Sequence, residues 1–130
     1  MRLLAHLLAL GADYHPDSTF TAFRAGITTV TTNVFPIAMP VAVVTRVELT
    51  LEEAGQLQQL QFRISHEGHD LGTSPAQPLA VRVDNPDLPI YINAVSNLML
   101  PIPAPGRVTI SATLNEAALP PLYLTALEGP

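Results

Sequence analysis

Residues that could carry chemistry are few, and the densest group is His66-Glu67-Gly68-His69-Asp70. Imidazole nitrogens suit zinc, nickel or copper, and a turn can bring His66, His69 and the Asp70 carboxylate toward one ion. The spacing is not His-Glu-x-x-His, which sets two histidines four apart on one helix face. A polar hairpin tip needs the same residue types, and no fourth ligand stands nearby. The expectation is therefore no bound metal and no cofactor, with His66, His69 and Asp70 as the candidate ligands if a metal is held.

His15 lies beside Tyr14 and Asp17, with Ser18 and Thr19 following. A histidine oriented by a carboxylate can activate a hydroxyl, but triads assemble across space rather than along sequence. An Asx turn made by Asp17 accounts for the same residues. No catalytic residue is assigned. His6 sits in a run of leucines, as a core or interface histidine bonded to backbone. Were an oligomer interface to cover it, protonation would oppose assembly. Arg24, Arg46, Arg63, Arg82 and Arg107 are scattered as surface charges are, although one sheet face could gather them as an anion site. There is no Trp, and Tyr14, Tyr91 and Tyr123 would have to serve as any sugar-stacking platform.

Composition narrows the classes further. The chain has 130 residues, 6 Lys+Arg against 11 Asp+Glu, and a net charge of −5. None of the basic residues is Lys. Displacing counterions from phosphates needs clustered cations, so nucleic acid and anionic membrane surfaces are not expected partners. No Cys is present, which excludes disulfides and thiol chemistry. Charged residues are 13% of the chain, against roughly 25% in an average domain. Apolar residues are 48%. Part of that apolar excess must meet solvent or another protein.

The elements that would position these groups read as strands. Val108, Ile110, Ala112 and Leu114 alternate with Thr109, Ser111 and Thr113; Leu60, Phe62 and Ile64 alternate with Gln61 and Arg63. A period of two marks strands with one face in a core. Arg2–Leu10 reads as a first strand apolar on both faces; it is too close to the start to be a secretory signal, and no stretch is long enough for a membrane helix. Ala12–Ser18 reads as a loop. Thr19–Thr32 reads as strand interrupted at Gly26. Pro36 and Pro40 bracket a connection before a Val41–Thr50 strand. Thr50 and Glu53 predict a capping box over one helical turn, Leu51–Ala54. Leu79–Asp84 alternates as a strand. Leu100–Gly106, with a proline at every second position, reads as an extended connection. Asn115–Ala118 is the loop of a closing hairpin.

The run Phe35-Pro36…Met39-Pro40-Val41-Ala42-Val43-Val44, then Arg46-Val47-Glu48-Leu49-Thr50 and Glu52-Glu53-Ala54-Gly55, resembles a family of small bacterial β-sandwich proteins with no assigned activity. So does the ending Leu98…Leu100-Pro101-Ile102-Pro103…Pro105-Gly106-Arg107-Val108. The likeness spans nearly the whole chain, and departs at Asn115-Glu116-Ala117, where similar sequences carry an Asp-Gly type turn. It implies a bacterial, non-secreted protein without catalytic residues.

Together these features predict one all-β domain over residues 1–130. Its expected form is an antiparallel β-sandwich, immunoglobulin-like or a related Greek key, of about 7–9 strands with at most one short helical turn. The expected role is a non-catalytic structural or interaction module in the cytoplasm that forms homo-oligomers or joins another protein. The alternatives are a sandwich binding carbohydrate or an added peptide strand, and a metal-dependent enzyme at His66 and His69.

Overall fold

Wherever the alternation is unbroken it becomes strand. A computed structural model describes residues 1–17 and 19–129. In chain order its elements are β1 (Arg2–Ala9), β2 (Gly11–Tyr14), β3 (Phe20–Phe23), β4 (Thr29–Thr32), β5 (Ile37–Leu49), α1 (Leu51–Ala54), β6 (Gln58–His66), β7 (His69–Thr73), β8 (Gln77–Leu79), β9 (Ile90–Ile102), β10 (Gly106–Leu114), β11 (Ala117–Ala118) and β12 (Leu122–Glu128). The chain is nearly all-β. The single helical turn among the described residues has the expected box, Thr50 Oγ1 accepting from Glu53 N and Glu53 Oε1 accepting from Thr50 N.

One sheet runs β1-β5-β9 and is antiparallel throughout. The other runs β4-β12-β10-β6-β7, with β8 added to β6 and β11 to β10. Here the expectation of wholly antiparallel pairing fails, because β4 lies parallel to β12. The first strand region ends in one sheet and the chain crosses to the far edge of the other, which no local pattern encodes.

Both sheets feed one core. Val43, Val47, Leu100 and Ile102 from the first meet Leu60, Phe62, Ile110 and Leu124 from the second, all essentially sealed from solvent. Each such side chain contributes roughly 1.5–3 kcal/mol by leaving water. Ala42 and Val44 point to the other side of β5 yet are also fully buried, with the β2–β3 hairpin lying against β5 and β9. That third layer accounts for an apolar stretch on both faces.

Five boundaries differ from the sequence reading, one being the Asn115–Ala118 loop, where Ala117 and Ala118 pair with β10 as β11 and leave a two-residue turn. Residues 12–14, read as the start of a loop, belong instead to β2, because β3 supplies a partner from Phe20 to Phe23. β5 begins at Ile37 and carries Pro40 inside it. The β1 ladder ends at Ala9–Ala42, so at Pro40 β5 has a neighbour on one side and a missing N–H is tolerated. β9 likewise runs through Pro101 to Ile102, on a strand that borders its sheet. The Leu79–Asp84 alternation finds pairing only up to Leu79. Among the described residues twelve strands form against about seven to nine expected, the excess being short pieces such as β8 and β11.

Candidate functional site

The β6–β7 hairpin places the histidine pair. His66 and His69 stand opposite each other across a two-residue turn, Glu67 at φ 48° and Gly68 at φ 81°. Both central residues have positive φ, the mirror-image turn that matches strand twist. The side chains then part company. His66 Nε2 lies 3.1 Å from the Ala104 carbonyl, so it is the protonated nitrogen of the ring. Glu67 Oε1 accepts from Arg107 N at 2.7 Å, and Glu67 N donates to the Arg107 carbonyl at 3.0 Å. Asp70 pairs with Arg63 Nη2 at 2.9 Å and accepts from Gly72 N at 3.1 Å. The Arg63 bond, with Gly72 behind it, holds the Asp70 carboxyl below the usual carboxylate range. The cluster thus docks the turn onto β10 and ties its return strand to Arg63 on β6. Among the described residues no three metal-capable side chains gather into a site, so His66, His69 and Asp70 are not assembled as a ligand set.

His15 shows the same outcome. Its Nε2 lies 2.7 Å from Thr21 Oγ1 across the β2–β3 hairpin. Asp17 Oδ1 accepts from the Thr19 backbone N at 3.1 Å, the Asx turn, and from the Thr19 hydroxyl. Those bonds lower the Asp17 pKa, the hydroxyl foremost. Ser18 lies outside the described residues.

His6 bonds a side chain rather than the expected backbone. Its Nδ1 is 3.0 Å from Thr45 Oγ1, directly opposite on β5. Nε2 is buried without a partner, and burial lowers the pKa of the ring. The arginines do not converge. Arg46 stacks over Tyr91 at 4.6 Å on the outer face of the β1-β5-β9 sheet; Arg107 stacks over Tyr123 at 4.8 Å on the other sheet. Two of the three tyrosine rings therefore already carry a guanidinium on one face. A wide hollow of about 530 Å³ opens beside the β6–β7 turn, but its only charged side chains are Glu67, spent on the Arg107 backbone, and Arg107 itself.

The sheet edges are more informative than any pocket. β1 has a register shift between Leu3 and Ala5, an Arg2–Glu48 ion pair, and a Leu8 carbonyl capped by Gly26 N at 2.7 Å. β4 is four residues long. β7 is five residues long, shifts register between Ile64 and Ser65, and carries Asp70. All are the usual devices against unwanted strand pairing. β9 uses almost none of them. It is thirteen residues long, pairs with β5 in continuous register from Ile90–Leu49 to Ile102–Ile37, and contains no charged residue. Pro101 is its single interruption.

Two hollows run beside β9. One, of about 250 Å³, is lined by Tyr14, Gln77–Ala80 and Ile92–Val95. The other, of about 460 Å³, lies between β7 and β9 and is lined by Leu71, Thr73, Leu98, Met99 and Pro101 among others. Between them the Ser96 hydroxyl donates to Gln77 Oε1 at 3.0 Å. Neither lining holds a charged side chain. The sequence does contain a signal for this edge, the absence of Asp, Glu, Lys and Arg from 90 to 102, which the strand pattern alone does not flag.

No protein-family model, no curated protein and no solved structure matches the chain. Among the described residues no helix is long and apolar enough to cross a membrane.

Proposed function

We propose that this chain is a non-catalytic interaction module, a β-sandwich of immunoglobulin-like Greek-key type that self-associates or joins an assembly in a bacterial cytoplasm. The strand order supports the fold assignment. The sheet β1-β5-β9 follows the A-B-E order of such domains, and β12-β10-β6 follows G-F-C, with β7 beyond it. One strand of that plan is lacking. The fourth member of the A-B-E sheet would fall near residues 79–84, which alternate in sequence but, among the described residues, add no strand ladder to the outer side of β9.

The observation that carries the function is the long, uncharged, regular edge of β9 beside two neutral hollows. An unpaired ladder of this kind is a template for another strand. The metal-dependent alternative has no gathered ligands behind it, and the sugar alternative has guanidinium groups over two of its rings. On this reading the chain belongs with the small bacterial β-sandwich proteins that its Phe35–Gly55 and Leu98–Val108 runs resemble. Light scattering and sedimentation from micromolar to millimolar protein test it. The expected mass exceeds the 13.9 kDa of one chain and rises with concentration. A one-chain mass throughout removes self-association.

A further inference from the structure

Resting on the self-association reading, we propose its surface: β9 pairs edge to edge with β9 of a second copy, antiparallel across a two-fold axis at Ser96. The result is one continuous sheet, β1-β5-β9 followed by its symmetry mate.

The chemistry of the edge selects the occupant. Its form must be an extended strand, because β9 offers backbone donors and acceptors in straight register. Its side chains must be neutral, since the hollows flanking β9 hold no group to pair a charge. β9 itself satisfies both demands. The other long strands do not: β5 carries Arg46 and Glu48, β6 carries Arg63, and β10 carries Arg107. The copy that fits the edge is the edge itself, the self-complementary arrangement a two-fold interface requires. An acidic protein that must meet its own copy does so best through its charge-free strand.

Complete overlap of the thirteen residues puts Val95 opposite Asn97, and Asn93 opposite Met99, of the second copy. The half of β9 shadowed by Tyr14 and Gln77–Ala80 then faces the open half beyond Ser96. Val95, Asn97 and Met99 all belong to the face away from the core, and Met99 is 62% exposed.

The native chain has no cysteine, so cross-linking reads out cleanly. Val95→Cys protein is mixed with Asn97→Cys protein and oxidised, with Val95→Cys plus Ser111→Cys on the outer face of β10 as the control. The expected result is a mixed disulfide in the first mixture only. Met99→Lys is expected to weaken the dimer roughly tenfold, about 1.4 kcal/mol, with an unchanged thermal midpoint at dilutions where both proteins are single chains. A dimer by mass that cross-links at the control site and ignores Met99→Lys overturns the β9 surface while leaving self-association standing. A wild-type protein of one-chain mass overturns both. A monomer whose β9 amides gain exchange protection only on adding a neutral extended peptide overturns the two-fold and assigns the edge to a foreign strand.

Discussion

β7 and β9 border the same hollow from opposite sheets, and they are built by opposite rules. β7 is short, bulged and exposed along its whole length. Its register is broken and its Asp70 is tied to Arg63. β9 sends Ile90, Ile92, Ala94, Leu100 and Ile102 into the core, and its thirteen residues keep one register. A strand anchored on one face is held straight on its free edge. Such an edge has little conformational freedom left to lose when another strand arrives, which lowers the cost of pairing. β7 has no anchor, so its edge is a poor template even before its charge is counted. The difference teaches that core burial and edge availability go together here.

The largest test of that link is truncation beneath each edge. Leu100→Ala removes a fully buried side chain and is expected to cost about 2–5 kcal/mol in urea unfolding. Leu71→Ala, on exposed β7, should stay within roughly 0.5 kcal/mol. Equal costs would mean that β7 is anchored after all, and the contrast would collapse.

Next comes the joint that holds the β7 hairpin. Gly106 sits at φ 135°, and a Cβ there would lie 2.5 Å from Glu67 Oε1. Gly106→Ala must displace the carboxylate that accepts from Arg107 N, on top of a strained backbone. About 1–3 kcal/mol is expected. Hydrogen exchange should show faster opening in β7 and little change in β9. Matching acceleration in both would show one cooperative unit instead of two unlike edges.

What sequence could supply here divides along the same line. Alternation in Val108–Leu114, Leu60–Ile64 and Val43–Leu49 reports burial on one face, and those residues do line the core. Alternation reports nothing about who sits alongside. Pro40 and Pro101 read as breaks, since a proline cannot join an interior ladder. Both are tolerated because each lies where its strand lacks a neighbour, a fact set by where β1 stops and where β9 stands. The parallel β4–β12 pair joins residues nearly a hundred apart and leaves no local trace. At the His66–Asp70 turn the residue types were visible, but their partners, Ala104 before β10 and Arg107 on it, stand about forty residues further along the chain. The Thr45 partner of His6 was hidden for the same reason.

A smaller test separates stability from pairing. Asn115 and Glu116 form the β10–β11 turn with φ 49° and 70°. Asn115 holds its place by accepting from Gln59 N at 2.7 Å and donating to Gln58 Oε1 at 2.7 Å. Glu116 is exposed in a conformation that suits glycine. Glu116→Gly is expected to stabilise by roughly 0.5–1 kcal/mol. Self-association should not move, because the turn touches neither edge. A parallel gain in association would tie pairing to global stability and erase the special standing of β9.

The smallest effect, and the one that chooses between β9 and β1, is the titration of His6. Burial lowers its pKa below 6.5 in the fold, so the unfolded chain takes the proton more readily. Its contribution is therefore complete above the unfolded value and is lost as pH falls through the folded one. Asp17, Asp70 and Glu53 titrate below ordinary carboxylates, Glu53 lowered to about 2, and stay charged throughout that window. The thermal midpoint should fall between about pH 8 and about pH 5.5, and His6→Gln should flatten that fall. Dimer mass should hold over the same range, since β1 lies on the opposite border of the sheet from β9. If mass drops with acid and His6→Gln prevents the drop, the covered edge is β1: its bulge and its capped carbonyl would then be features of an interface, and the uncharged run of β9 would need another cause.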